Sequence, residues 1–148
     1  MTDRPLRLLM VCTGNICRSP MALGLADQIA LEKSRDVEIR SAGTAGLIDL
    51  PPEPHAITVC RERGIDIRDH RSRPLTADLV AWADRILVME WAHADAVSTL
   101  DPSAVDKVVH LGPLVGFAEI ADPYGSWFVG TYRQTRDLLE SAIRRVLD

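Results

Sequence analysis

The sequence predicts an α/β fold, a four-stranded parallel sheet flanked by helices on both faces, and three kinds of observation predict it. Apolar runs too short for helices alternate along the chain with longer segments of helical periodicity, the order that parallel sheets with crossover helices require. The first run, Leu6 to Cys12, is interrupted only by Arg7 and has the near-continuous apolar character of a strand buried on both faces. Glycine, proline, asparagine and aspartate punctuate the junctions between segments. At 148 residues, 47% apolar and 26% charged, the chain is suited to a single soluble domain with one sizeable core, spanning residues 1–148.

In chain order, the first strand ends at the turn signal Thr13-Gly14-Asn15, and a helix is expected from Arg18 or Ser19. Ser19 is a candidate cap, Pro20 suits a first helical turn, and Ala22, Leu25, Ala26 and Ile29 share one face. A second strand is expected from Val37 to Ser41 and a proline-rich loop from Leu47 to Pro54. A helix from Pro54 to Arg63 should follow, closed by Gly64, with Cys60 on its core face beside Ala56 and Val59. Thr76 caps a short helix, Ala77 to Ala83. Strands Arg85 to Met89 and Lys107 to Leu111 flank a helix, Trp91 to Leu100, that terminates at Asp101-Pro102. The last helix runs from Val129 to Leu147.

The formal net charge of −4 argues against nucleic acid as a partner, and any anion site must rest on local positive charge. No stretch approaches the roughly 20 apolar residues that span a bilayer, so membrane insertion is not expected. The run Leu8 to Cys12 is too short for a signal-peptide core, and a cytoplasmic location is expected. Cys12, Cys17 and Cys60 are too few for a disulfide scaffold. No cluster has convincing metal-ligand spacing, and neither metal nor cofactor is expected.

The chemistry concentrates in Cys12-Thr13-Gly14-Asn15-Ile16-Cys17-Arg18-Ser19-Pro20. A loop running from a strand into a helix N-terminus can turn successive N–H groups inward and cup an anion. Gly14 and Asn15 tolerate the left-handed conformations that such curling needs, and Arg18 can close the cup as a bidentate fork. This makes a phosphate-binding loop after the first strand. Cys12 would lie beneath the anion, where inward N–H groups, helix dipole and Arg18 favour its thiolate, and Ser19 could donate its hydroxyl to the sulfur. A lone cysteine ending a strand is usually core packing; here strand, turn, arginine, Ser-Pro and helix occur together.

A thiolate aimed at a phosphate monoester also needs an acid for the leaving group and then a base for water. Asp122-Pro123-Tyr124 is the candidate, because it follows the fourth strand on a loop and Pro123 restricts Asp122 to extended geometry. Tyr124 could wall an aromatic leaving group. The alternative is an Asp-Pro dipeptide that simply begins a turn, as Asp101-Pro102 illustrates.

Together these motifs resemble the low-molecular-weight protein tyrosine phosphatase family, over almost the whole chain and including Ser41-Ala42-Gly43-Thr44 and His70. The resemblance implies Cys12 as nucleophile, Arg18 as phosphate clamp and Asp122 as acid then base. It implies Thr13, Gly14, Asn15, Ile16, Cys17, Leu47 and Tyr124 around the substrate, and Asn15, Ser19, Ser41 and His70 as loop supports. Read alone, His70 would be a surface histidine in a charged run. Cys17 is either a packing residue or a partner that traps oxidised Cys12 as a disulfide.

Ile16 stands where family members resembling protein arginine phosphatases typically carry threonine, which favours a phosphotyrosine protein as substrate. Ala45-Gly46-Leu47-Ile48, and Gly125 after Tyr124, replace the aromatic walls of eukaryotic members. Bacterial members linked to exopolysaccharide export are similar, and they imply an autophosphorylating tyrosine kinase as partner and a monomer or weak dimer. Three alternatives share these features: a protein arginine phosphatase, a thiol-dependent arsenate reductase, and a non-catalytic phosphate-binding module. Only Cys60 lies beyond the loop to serve a reductase. The basic stretch Arg61, Arg63, Arg68, His70, Arg71 and Arg73 offers a means of steering acidic phosphorylated segments.

Overall fold

A computed structural model describes residues 4–148. Four strands, β1 (Leu6–Cys12), β2 (Val37–Gly43), β3 (Arg85–Val88) and β4 (Val108–His110), form one sheet in the order β2-β1-β3-β4. Every pairing is parallel. The helices are α1 (Arg18–Glu32), α2 (Pro54–Arg61), α3 (Ala77–Trp82), α4 (Trp91–Leu100), α5 (Leu111–Leu114) and α6 (Val129–Val146).

β1 explains the layering. Successive side chains of a strand point to opposite faces. Leu8, Met10 and Cys12 pack with α1, α2 and α6, while Leu9 and Val11 pack with Leu79, Val80 and Val97 from α3 and α4. None of these five strand residues is more than 2% exposed, so both faces are covered as expected. The chain leaves β1 for β2 on one side and later returns to β3 on the other. The carboxyl end of β1 is thus the point where the winding reverses, the place where such sheets bind ligands.

Several boundaries differ for local reasons. Ser19 does not cap α1; Cys17 occupies that position without a side-chain bond, and Ser19 lies in the first turn with its hydroxyl turned to the loop. β2 extends to Gly43, whose N–H and C=O are taken by Arg73 and Leu75. α2 ends at Arg61 because Gly64, at φ +73°, lets the N–H of Ile65 return to the Cys60 carbonyl. Asp101 ends α4 and its side chain accepts from the Ser103 N–H (3.0 Å), starting an unexpected 3-10 turn, Pro102–Lys107. That turn and the unexpected α5 confine β4 to Val108–His110. Cys60 is fully buried on α2 as expected, and burial pushes its thiol up to about 12. Arg136 of α6, itself buried, ties the two helices by donating to the Val59 carbonyl (3.0 Å) and to Glu62 (2.7 Å).

Candidate active site

The segment 12–18 curls around its own first residue. Cys12 Sγ accepts from the backbone N–H of Asn15 (3.2 Å) and lies 3.0 Å from Ser19 Oγ. Ser19 Oγ accepts from Asn15 Nδ2 (2.6 Å), which leaves the hydroxyl proton to point at the sulfur. Asn15 adopts φ 58°, the left-handed conformation anticipated for it. Its side chain is fully used: Nδ2 also donates to Ser41 Oγ (3.0 Å), and Oδ1 accepts from the Arg73 N–H (2.9 Å). His70 Nε2 donates to the Asn15 carbonyl (2.7 Å). Burial lowers the pKa of His70, a pull that this bond opposes. Asn15, Ser19, Ser41 and His70 therefore converge beneath the loop.

Arg18 is 1% exposed, a buried cation that needs partners. Nη1 reaches Glu90 Oε2 (2.6 Å) and donates to the Ile120 carbonyl (2.7 Å). Nη2 faces Asp122 Oδ2 (3.3 Å) and Thr13 Oγ1 (3.4 Å). Nε is buried and makes no hydrogen bond among the described residues. Asp122 uses its other oxygen, Oδ1, to accept from the Tyr124 N–H (3.1 Å), which fixes the carboxyl group over the sheet edge.

A hollow of about 460 Å³ opens here. Its lining includes Cys12, Thr13, Gly14, Ile16, Cys17, Leu47, Asp122 and Tyr124. Asn15 departs from the expectation: it is fully buried, and its side chain turns away from the hollow. The aliphatic wall is Leu47 with Leu50, while Ile48 is 65% exposed outside it. Cys17 is buried, and burial pushes its thiol up to about 12 despite a contact with the Tyr132 hydroxyl (3.9 Å).

Residue-by-residue reading of the sequence overlooked Glu90, His93 and Glu53. The register Val11↔Val88 carries Glu90 level with Thr13, so a carboxylate just beyond a buried strand was the available signal. His93 Nδ1 accepts from the N–H groups of Glu90 (3.0 Å) and Met89 (3.3 Å), which assigns the proton to Nε2 for donation to Thr13 Oγ1 (2.9 Å). Burial and then the neighbouring Arg18 hold His93 at about 4, so the ring is neutral near pH 7. Glu53, just before α2, stands at the rim of the hollow.

Residues 7–148 match the family described as Low molecular weight phosphotyrosine protein phosphatase. The chain belongs to that family. A probable low molecular weight protein-tyrosine-phosphatase, EpsP, from Ralstonia nicotianae is 43% identical over 117 residues, 79% of this chain and 77% of that protein. A protein-arginine-phosphatase from Geobacillus stearothermophilus is 38% identical over 146 residues, 97% of this chain and 95% of that one. Among solved structures, a low molecular weight protein tyrosine phosphatase from T. tengcongensis superposes with a TM-score of 0.89 at 34% identity, covering 96% of this chain and 97% of the other. Membership makes the chain a phosphatase of the phosphotyrosine class, and its four-stranded parallel sheet is the fold of these phosphatases. Among the described residues, no helix of this family member is long and apolar enough to cross a membrane.

Proposed function

We propose that the chain hydrolyses phosphotyrosine in proteins by a two-step transfer through Cys12, with Arg18 holding the phosphate and Asp122 moving the protons. The observation that carries this reading is one hollow that holds the Cys12 sulfur, the Asp122 carboxyl and the aromatic wall of Tyr124. Substrate phosphate would take the unpartnered N–H of Arg18 Nε and compete with Asp122 for Nη2. The thiolate attacks phosphorus, an S–P bond forms, the P–O bond to the ring breaks, and protonated Asp122 passes its proton to the departing phenolate. Asp122, now a carboxylate, takes a proton from water as the water oxygen attacks phosphorus. The S–P bond breaks, and the Ser19 hydroxyl, 3.0 Å away, receives the returning thiolate.

Cys17 lines the same hollow, and we read it as able to form a disulfide with an oxidised Cys12, protecting the nucleophile. On its resemblance to bacterial members of the family we also propose a polysaccharide-export setting, with an autophosphorylating tyrosine kinase as substrate and the cytoplasm as location. The arginine phosphatase reading has its own support: the relative that spans 97% of this chain, and two carboxylates, Glu53 and Asp122, at the hollow where a guanidinium could lie.

One preparation should be assayed against phosphotyrosine, phosphoarginine and arsenate with chelator present. Phosphotyrosine turnover that Cys12→Ser abolishes, with phosphate binding retained, supports the reading. Asp122→Asn should slow poor leaving groups more than good ones. Equal slowing of all leaving groups removes Asp122 from the role of acid, and turnover of phosphoarginine alone replaces the substrate.

A further inference from the structure

A second hollow, about 390 Å³, adjoins the first and shares Glu53 and Tyr124 with it. Its other walls include Pro54, His55, Trp127 and Tyr132. Trp127 is 90% exposed, although an indole is among the residues with most to gain from burial. Glu53 neither caps α2 with its side chain nor shares the arginines of α6, since Arg133 and Arg136 pair with Glu62 instead. Among the described residues no lysine or arginine lines either hollow, and the charged lining groups around Cys12 are Glu53 and Asp122. Part of the basic stretch that the sequence offers for acidic segments is engaged elsewhere. Arg63 pairs with Asp137 and Glu140, Arg68 with Asp66, and Arg73 donates to the Ser41 carbonyl.

From this juxtaposition of a carboxylate with exposed aromatic faces, continuous with the Cys12 hollow, we infer a subsite for a lysine or arginine side chain flanking the phosphorylated residue of the substrate. The inference rests on the phosphotyrosine reading and deepens it by naming the segment recognised: a phosphotyrosine with a basic neighbour. Both chemical features of the hollow favour a cation. A carboxylate attracts it through charge, and the face of a tryptophan or tyrosine attracts it through the ring quadrupole. In an extended peptide, side chains alternate, so a residue near the phosphotyrosine can be presented on the same side while the phosphate occupies the loop. An acidic neighbour would meet Glu53 and be disfavoured.

The test uses phosphotyrosine peptides identical except for lysine, alanine or glutamate at each position flanking the phosphotyrosine, with p-nitrophenyl phosphate as a substrate too small to reach the second hollow. The native chain should show kcat/KM about fivefold to tenfold higher for lysine than for alanine at one or more positions, the size expected of an exposed ion pair plus a cation–π contact. Trp127→Ala, a change at an exposed side chain, should shrink that ratio and leave p-nitrophenyl phosphate turnover unchanged. Glu53→Gln should remove the lysine-over-glutamate preference and its salt dependence. Turnover of all peptides at equal kcat/KM, a preference for glutamate, or an undiminished ratio in both variants would overturn the inference while leaving the phosphotyrosine reading intact. Hydrolysis of p-nitrophenyl phosphate with no turnover of any phosphotyrosine peptide would overturn both.

Discussion

His93 Nε2 lies 2.9 Å from Thr13 Oγ1, so a buried imidazole at the start of α4 fastens the first residue after Cys12. The same hydroxyl is 3.4 Å from Arg18 Nη2, which links the ring to that buried guanidinium through one oxygen. His93 is therefore a positioning residue. His93→Ala and Thr13→Val should each lower kcat/KM for an aryl phosphate about fivefold to tenfold, the scale of one net hydrogen bond in the transition state. Because the two act through each other, the double variant should lose little more than the worse single one. Steady-state kinetics on the four proteins checks this, and losses that multiply would show independent roles.

Stability should fall on mild acidification because of the same ring. His93 is held at about 4, chiefly by burial, against about 6.5 in an unfolded chain. Between those values the unfolded chain binds a proton that the folded chain refuses, so stability is full above the unfolded value and declines as pH drops toward the folded one. His70, lowered by burial, acts in the same direction. Glu62, held near 2 by Arg133 and Arg136, loses its contribution only below the ordinary carboxylate range. Urea unfolding at about pH 7 and about pH 5 should therefore differ by about 2 kcal/mol through His93. His93→Gln should flatten the slope; an unchanged slope would locate the proton uptake elsewhere.

The Asn15 side chain makes three hydrogen bonds beneath the loop. Asn15→Ala would remove the bonds to Ser19, Ser41 and the Arg73 N–H, and would leave a Cβ-bearing residue without compensation at φ 58°. A loss of roughly 2–4 kcal/mol is expected, with turnover reduced more than tenfold. Asn15→Gly relieves the backbone term alone and should recover about 1 kcal/mol relative to alanine. Denaturant midpoints for the pair separate conformation from hydrogen bonding; equal stability would mean that the left-handed geometry carries no strain.

What the sequence disclosed follows from how local each feature is. β1 was legible because both of its faces are buried, leaving an apolar run, and the site was legible where Cys12 through Arg18 lie on one continuous turn. Asp122 required the spacing between two motifs. Ser19 was misjudged as a cap because Ser-Pro before an apolar helix is a capping pattern, whereas its hydroxyl is claimed by Asn15 and faces Cys12. Glu90 and His93 were not legible because their contacts depend on the register of β3 against β1. Leu50 in place of Ile48 reflects the path of a loop with no periodicity to read. The 3-10 turn and α5 were missed because each is a short run closed by local bonds.

Gly43 packs directly against the loop that follows Cys12, and it supplies a contrast with Gly130. Parallel pairing sets Gly43 beside Cys12, and a Cβ on Gly43 would come within 2.7 Å of the Thr13 carbonyl oxygen and 3.0 Å of the Asn15 backbone nitrogen. Those neighbours are backbone, held by the network under the loop, so they cannot swing aside as a flexible side chain would. Gly43→Ala should therefore displace the loop, with stability reduced by about 1–3 kcal/mol as for other overpacked sites and turnover reduced at least tenfold. Gly130, in the first turn of α6, has no neighbour within 4 Å of such a Cβ. Gly130→Ala should raise stability by roughly 0.5 kcal/mol by restricting the unfolded chain, with turnover unchanged. Thermal unfolding and aryl phosphate turnover of the two variants decide the matter: a Gly43→Ala protein with native activity would mean that the loop can yield at Thr13 without losing its grip on phosphate.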